Sequence, residues 1–182
     1  MRFLSGDRRL LYLVGEPGSG KTTLMRKLSD GYGRAAVPDR SMPRDLLVSP
    51  DGTTVAVELG RRRGEFSGTD ALSMSIIGAA EAYLAAPETG TVLAEGARLG
   101  NARFLRSALD LGYAVTLALL DHGDAERWRS ARAARLGKAQ NPSWVAGRRT
   151  AALRLAESPP QGTRVVRGHP DALYEQLAGS WP

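Results

Sequence analysis

The stretch Arg9–Asp30 reads RLLYLVGEPGSGKTTLMRKLSD. It opens with a hydrophobic run, Arg9–Val14, of the kind that forms a buried strand, and from Lys21 to about Asp30 it favours a helix. Between the two, Gly15-Glu16-Pro17-Gly18-Ser19-Gly20-Lys21-Thr22 satisfies G-x-x-x-x-G-K-[ST] at every fixed position. Glycines let such a loop turn tightly enough for several backbone N–H groups to face one phosphate chain, and the following helix start adds partial positive charge at the same place. The candidate nucleotide-binding residues are therefore Gly15, Pro17, Gly18, Ser19, Gly20, Lys21, Thr22 and Thr23. Lys21 is expected to reach the β- and γ-phosphates of ATP, and the Thr22 hydroxyl to hold Mg²⁺.

Outward from this loop, strand-like segments alternate with helical ones, the pattern of a parallel α/β sheet. The expected strands are Asp45–Ser49, Thr53–Leu59, Thr91–Glu95, Tyr113–Leu120 and Gly162–Arg167, besides the first. Pro50-Asp51-Gly52 marks a turn between the first two of these. Helices are expected over Asp70–Ala85, Asn101–Leu111, Asp124–Leu136, Ser143–Glu157 and Asp171–Ala178.

The chain has 182 residues with a formal net charge of +6. Twenty-two of the 25 basic residues are Arg, whose planar fork suits phosphate oxygens. Such a balance favours polyanionic partners, free nucleotides and DNA among them. No apolar stretch is long enough for a membrane-spanning helix, no signal-peptide pattern opens the chain and cysteine is absent, so a cytoplasmic protein without a membrane partner is expected. One domain is expected over residues 1–182.

Two carboxylates end strands. Glu95 closes Thr91–Glu95, where ligands of open α/β sheets bind, and is placed to hold Mg²⁺ or to take an acceptor proton. Glu58 ends the preceding strand in the same way and is a second candidate base. The loop that follows carries Arg61, Arg62 and Arg63 for phosphate, Phe66 for stacking on a base, and Thr69 and Asp70 for polar readout or helix capping. Further on, Arg127, Arg129, Arg132 and Arg135 recur at helical spacing with no acidic residue between Glu126 and Glu157. A cationic face of this sort suits a helical lid, about residues 124–150, that closes over phosphates and neutralises the transferring group. Trp128 and Trp144 lie in the same segment, where they could stack on adenine or a flipped base, although packing between lid helices is the commoner use. His122 and His169 have no carboxylate or Cys at metal-ligand spacing in sequence, which argues against a zinc site.

GEPGSGKT, the strand-end Glu95 in LAEGARL and the segment RWRSARAARLGKAQNPSWVAGRR together resemble the P-loop kinases of nucleosides and nucleotides. The resemblance implies a three-layer fold, a five-stranded parallel sheet in the order 2-3-1-4-5 with helices on both faces, ATP with Mg²⁺, and an Arg-rich mobile lid. Glu95-Gly96-Ala97-Arg98 stands where adenylate kinases carry Asp-Gly-x-Pro-Arg, which puts Arg98 near the phosphates. The Asp-Arg-Ser segment of deoxynucleoside kinases is absent. Loop and lid are also similar to phage enzymes that phosphorylate 5-hydroxymethyl pyrimidines in DNA. Three readings follow: a kinase acting within DNA, a kinase of free nucleotides or small metabolites, and a P-loop NTPase without an acceptor.

Overall fold

A computed structural model describes residues 8–60, 68–137 and 139–181. Its strands are β1 (Arg9–Gly15), β2 (Gly33–Val37), β3 (Arg44–Val48), β4 (Thr54–Leu59), β5 (Thr91–Glu95), β6 (Ala114–Leu120) and β7 (Arg164–Gly168). Its helices are α1 (Lys21–Leu28), α2 (Ile77–Ala85), α3 (Ala102–Asp110), α4 (Ala125–Leu136), α5 (Pro142–Glu157) and α6 (Pro170–Leu177).

The strands form one sheet in the order β2-β3-β4-β5-β1-β6-β7. From β4 to β7 every neighbour is parallel, whereas β2 and β3 pair antiparallel. The sheet thus has seven strands rather than five, and its order departs from the expectation through the two antiparallel strands beyond β4. Two local facts explain the addition. The turn at Pro50–Gly52 is a true hairpin, with Gly52 at φ +87 and the Asp51 carboxylate accepting from the Thr53 amide at 2.9 Å, so β3 folds back on β4 instead of crossing over. β2, short and mostly exposed, carries no clear hydrophobic alternation, and nothing in its sequence announces a strand. Numbered among themselves, the parallel strands β4-β5-β1-β6-β7 run second, third, first, fourth, fifth.

Central β1 faces both ways, as its apolar run requires. Leu10, Tyr12 and Val14 pack with Ala80 and Leu84 of α2, Phe104 and Leu105 of α3 and Leu155 of α5. Leu11 and Leu13 pack with Leu24, Met25 and Leu28 of α1 and Leu173 and Leu177 of α6. The result is a three-layer α/β/α arrangement. Among the described residues, no helix is long and apolar enough to cross a membrane.

The helix expected over Asp70–Ala85 is divided. A 3-10 turn covers Gly68–Ala71, and α2 begins only at Ile77. Thr69 and Asp70 are engaged elsewhere: the Thr69 hydroxyl donates to the Glu95 carbonyl at 2.8 Å, and Asp70 Oδ1 accepts from the amides of Ala97 at 2.7 Å and Arg98 at 3.2 Å. These bonds tie the segment to the end of β5 and hold it out of a continuous helix. Leu72 and Ile76 still enter the core from this non-helical stretch.

Candidate active site

Parallel strands bring their carboxyl ends to one edge, so the loop after β1, Glu95 at the end of β5, and the turns after β6 and β7 converge there. The β1–α1 loop owes its path to glycine. Gly18 has φ +87, and a Cβ on it would lie 2.8 Å from the Cβ of Arg129, so α4 rests directly on the loop. Gly20, at φ +91, is the residue from which α1 starts. The first N–H groups of that helix therefore open onto the cleft.

Lys21 stays with its own loop. Its Nζ donates to the carbonyls of Glu16 at 2.8 Å and Gly15 at 3.1 Å, with Ser19 Oγ at 3.4 Å. Burial pushes its pKa down from 10.5; the carboxylates of Glu95, Asp70 and Glu16 act the other way, and Arg132 adds to the lowering. The Thr22 hydroxyl donates to Glu95 Oε1 at 2.8 Å. Glu95 is buried, and its backbone is anchored by Thr69, whose hydroxyl in turn meets the buried Tyr12 hydroxyl at 3.0 Å. Burial pushes the Tyr12 pKa far up, so the phenol stays protonated as part of this chain. A hydroxyl and a carboxylate oxygen side by side are hard donors that fit Mg²⁺.

These groups line a cavity of about 1160 Å³. Among the described residues, Lys21, Arg26, Arg98, Arg132, Arg135 and Arg148 line it, against Asp70 and Glu95, a formal excess of +4. Of the expected lid arginines, Arg132 and Arg135 thus face the cavity. Arg129 instead grips Glu16 of the phosphate loop at 2.9 Å and also pairs with Glu126. Arg127 is exposed and pairs with Asp124 at 2.9 Å. The cationic face is therefore partly compensated, by Asp124 and Glu126 one turn back and by Glu16, and only the last, remote in sequence, is beyond what spacing along one helix could show. Arg149 approaches Glu16 at 3.8 Å and Asp121 at 3.6 Å.

Glu58 does not line this cavity. Its carboxylate pairs with Arg34 of β2 at 2.6 Å, and the same guanidinium bonds Ser29 at 2.7 Å. Arg61, Arg62, Arg63 and Phe66 lie outside the described residues. The Trp128 ring lies 4.8 Å from that of His122 and 5.4 Å from that of His169. Trp144 is 45% exposed at the cavity wall, with the Arg148 guanidinium 5.8 Å from its ring centroid.

Sequence reasoning missed a tight glycine junction beneath Glu95. A Cβ on Gly60 would lie 2.0 Å from the Gly68 carbonyl oxygen, and one on Gly68, at φ +65, would lie 2.6 Å from Glu95 Cγ. Glycines at a strand end and before a helix were its only signal. It also missed His122, whose Nε2 lies 2.9 Å from the Ser19 carbonyl oxygen and braces the phosphate loop.

A doubly covered sheet with a glycine-shaped phosphate loop after its central strand, and a lysine, a hydroxyl and a strand-end carboxylate around one cationic cavity, defines a P-loop nucleoside-triphosphate-binding protein. A comparison with protein-family models resolves the class further: the model described as P-loop Nucleotide Kinase3 matches residues 6–180. The chain belongs to that family. No curated protein matches it.

Proposed function

We propose that the protein transfers the γ-phosphoryl group of ATP to an acceptor of nucleotide type. The observation that carries this reading is the contact of Thr22 with Glu95 at 2.8 Å, beside Lys21 and inside an arginine-walled cavity. In this reading the triphosphate lies along Gly15–Thr22, held by loop amides and by Lys21. Thr22 and Glu95 would hold Mg²⁺, which would supply positive charge against the triphosphate. Arg132 and Arg135, from the segment we take as the lid, stabilise the equatorial oxygens of the transferring group. Arg127 and Arg129 are given other parts in this reading, because the first meets Asp124 and the second fastens α4 to the loop.

The acceptor enters between Asp70 and Arg98, which line the cavity on the side of the β5 end. With Asp70 Oδ1 fixed by two amides, its carboxylate orients an acceptor hydroxyl and takes the proton. The acceptor oxygen bonds to the γ-phosphorus, the bond to the β-bridging oxygen breaks, and ADP leaves. A phosphate acceptor needs no base. Glu58, engaged with Arg34, has no part in this scheme.

A finer reading places the acceptor within DNA, such as the hydroxymethyl group of a 5-hydroxymethyl pyrimidine. Trp144 with Arg148 favours it, because an exposed ring with a cation at the cavity wall is a stacking platform for a base. Labelled ATP offered with nucleosides, nucleoside monophosphates and hydroxymethylated or plain DNA tests both readings. Label in a nucleotide-type product supports transfer, and label in hydroxymethylated DNA alone supports the finer form. Release of label only as inorganic phosphate, with every acceptor unmodified, contradicts both and favours a plain NTPase.

A further inference from the structure

Beside the phosphate loop, and apart from the cavity, three potential ligands meet from elements distant in sequence. His122 follows β6, Asp124 immediately precedes α4, and His169 caps the start of α6. One donor atom from each lies within 4.8 Å of the others. We propose that His122, Asp124 and His169 form a transition-metal site that takes Zn²⁺, with a fourth position left for water.

The donor set suits the ion. Two imidazoles are borderline ligands that favour a transition metal and one carboxylate completes a mixed N/O set; three protein ligands with an open position is a recurring zinc arrangement. The surroundings suit it as well. A ligating histidine holds its tautomer by donating the other ring N–H to a carbonyl or carboxylate. His122 Nε2 lies 2.9 Å from the Ser19 carbonyl oxygen, which leaves Nδ1 as the ligand atom. His169 Nδ1 accepts from the Asp171 amide at 3.2 Å; in the other tautomer it faces Asp171 Oδ2 at 3.4 Å, which leaves Nε2, itself 3.7 Å from Asp124 Oδ2. Asp124 Oδ1 is occupied by Arg127 at 2.9 Å, so Oδ2 is the oxygen to offer. Lys27 takes the other Asp171 oxygen at 2.7 Å and leaves Oδ2 to His169. Binding replaces two weaker contacts, the amides of Asp124 and Asp171 each lying 3.2 Å from a ring Nδ1.

The site joins the end of β6 to the first residues of α4 and α6. Since His122 also braces Ser19, a bound ion would fasten α4 beside the phosphate loop. This inference does not depend on the kinase reading, because it concerns binding of an ion outside the cavity.

The test is equilibrium binding to the full chain with millimolar Mg²⁺ present throughout, using Zn²⁺ for affinity and stability and Co²⁺ as a spectroscopic probe. Expected are one equivalent of Zn²⁺, a rise in Tm on its addition, a Co²⁺ ligand-field band of four-coordinate type, and quenching of Trp128, whose ring adjoins both imidazoles. Asp124→Asn and His169→Asn, which keep hydrogen-bonding groups at both helix starts, are expected to weaken Zn²⁺ binding at least ~10-fold and to abolish the Tm rise. Glu95→Gln is expected to bind Zn²⁺ as the parent chain does. Absence of binding by the parent chain, equal binding by Asp124→Asn and His169→Asn, or loss of binding in Glu95→Gln with Asp124→Asn unaffected would each overturn the proposal. Should one histidine variant fail to fold, the Co²⁺ spectrum of the parent chain decides between nitrogen ligands and an all-oxygen site.

Discussion

The ion pair between Arg129 and Glu16 makes a quantitative test of how α4 is fastened to the phosphate loop. The guanidinium reaches the Glu16 carboxylate at 2.9 Å, with the two side chains only 17% and 12% exposed. With formal charges about 4 Å apart, the attraction is about 4 kcal/mol at an effective dielectric constant near 20. Desolvating both ions offsets most of that. Breaking a fully buried pair costs about 3–5 kcal/mol, chiefly through the charge left behind. Here Arg149 remains 3.8 Å from Glu16 Oε1 and Glu126 remains beside Arg129, which lowers the expected coupling to about 1–2 kcal/mol. Urea unfolding of Arg129→Met, Glu16→Gln and the double variant measures that coupling directly. Arg129→Met alone also leaves Glu16 less neutralised beside the triphosphate, so its ATP Kd should rise about fivefold, or about 1 kcal/mol, and the double variant should recover most of that loss. A coupling below about 0.3 kcal/mol, or an ATP Kd unchanged by Arg129→Met, would refute the claim that this pair fastens the helix.

Other outcomes follow from the same geometry. Lys21 should lose its proton below the ordinary 10.5 because of burial, so kcat/KM should fall on the alkaline side before that pH. Stability should move the other way, because between the lowered value and 10.5 the unfolded chain holds the proton more firmly, and this residue's contribution therefore rises with pH; a profile flat to the ordinary lysine value would contradict both. Gly68→Ala drives a Cβ to within 2.6 Å of Glu95 Cγ at φ +65, and should cost upwards of ~1 kcal/mol in stability and about 10²-fold in kcat as Glu95 shifts from Thr22. Tyr12→Phe removes the buried hydroxyl that meets Thr69 at 3.0 Å and should cost about 1 kcal/mol in urea unfolding, with a smaller effect on turnover than Gly68→Ala.

Local signals in the sequence were strong where one element decides the outcome. The phosphate loop, β1 and the strand ending in Glu95 are legible because glycine spacing and an unbroken apolar run leave few alternatives. Of the antiparallel extension, β3 and the turn after it were legible in Asp45–Ser49 and Pro50–Gly52, but β2 was not, since it carries no hydrophobic alternation and is held by pairing with β3 and by Arg34 reaching Glu58. The same pair explains why Glu58 reads in sequence as a candidate base: a carboxylate at a strand end looks alike whether it faces a substrate or an arginine reaching across from a strand two places away. The division of the helix expected after Thr69 has a comparable cause, because bonds to Glu95, Ala97 and Arg98 come from a strand end far along the chain. The meeting of His122, Asp124 and His169 is likewise a product of strand order, which sets the turns after β6 and β7 side by side.

The central claim is that the loop from Gly15 to Thr22 holds the triphosphate through Lys21. Equilibrium binding of ATP with Mg²⁺ to the parent chain and to Lys21→Met, with the fold of both checked by circular dichroism, addresses it most directly. Loss of a charge-assisted contact of about 1.5–3 kcal/mol predicts Kd raised by about 10- to 100-fold in a normally folded variant. ATP bound equally well by folded Lys21→Met, or not bound by the parent chain at all, would contradict the account.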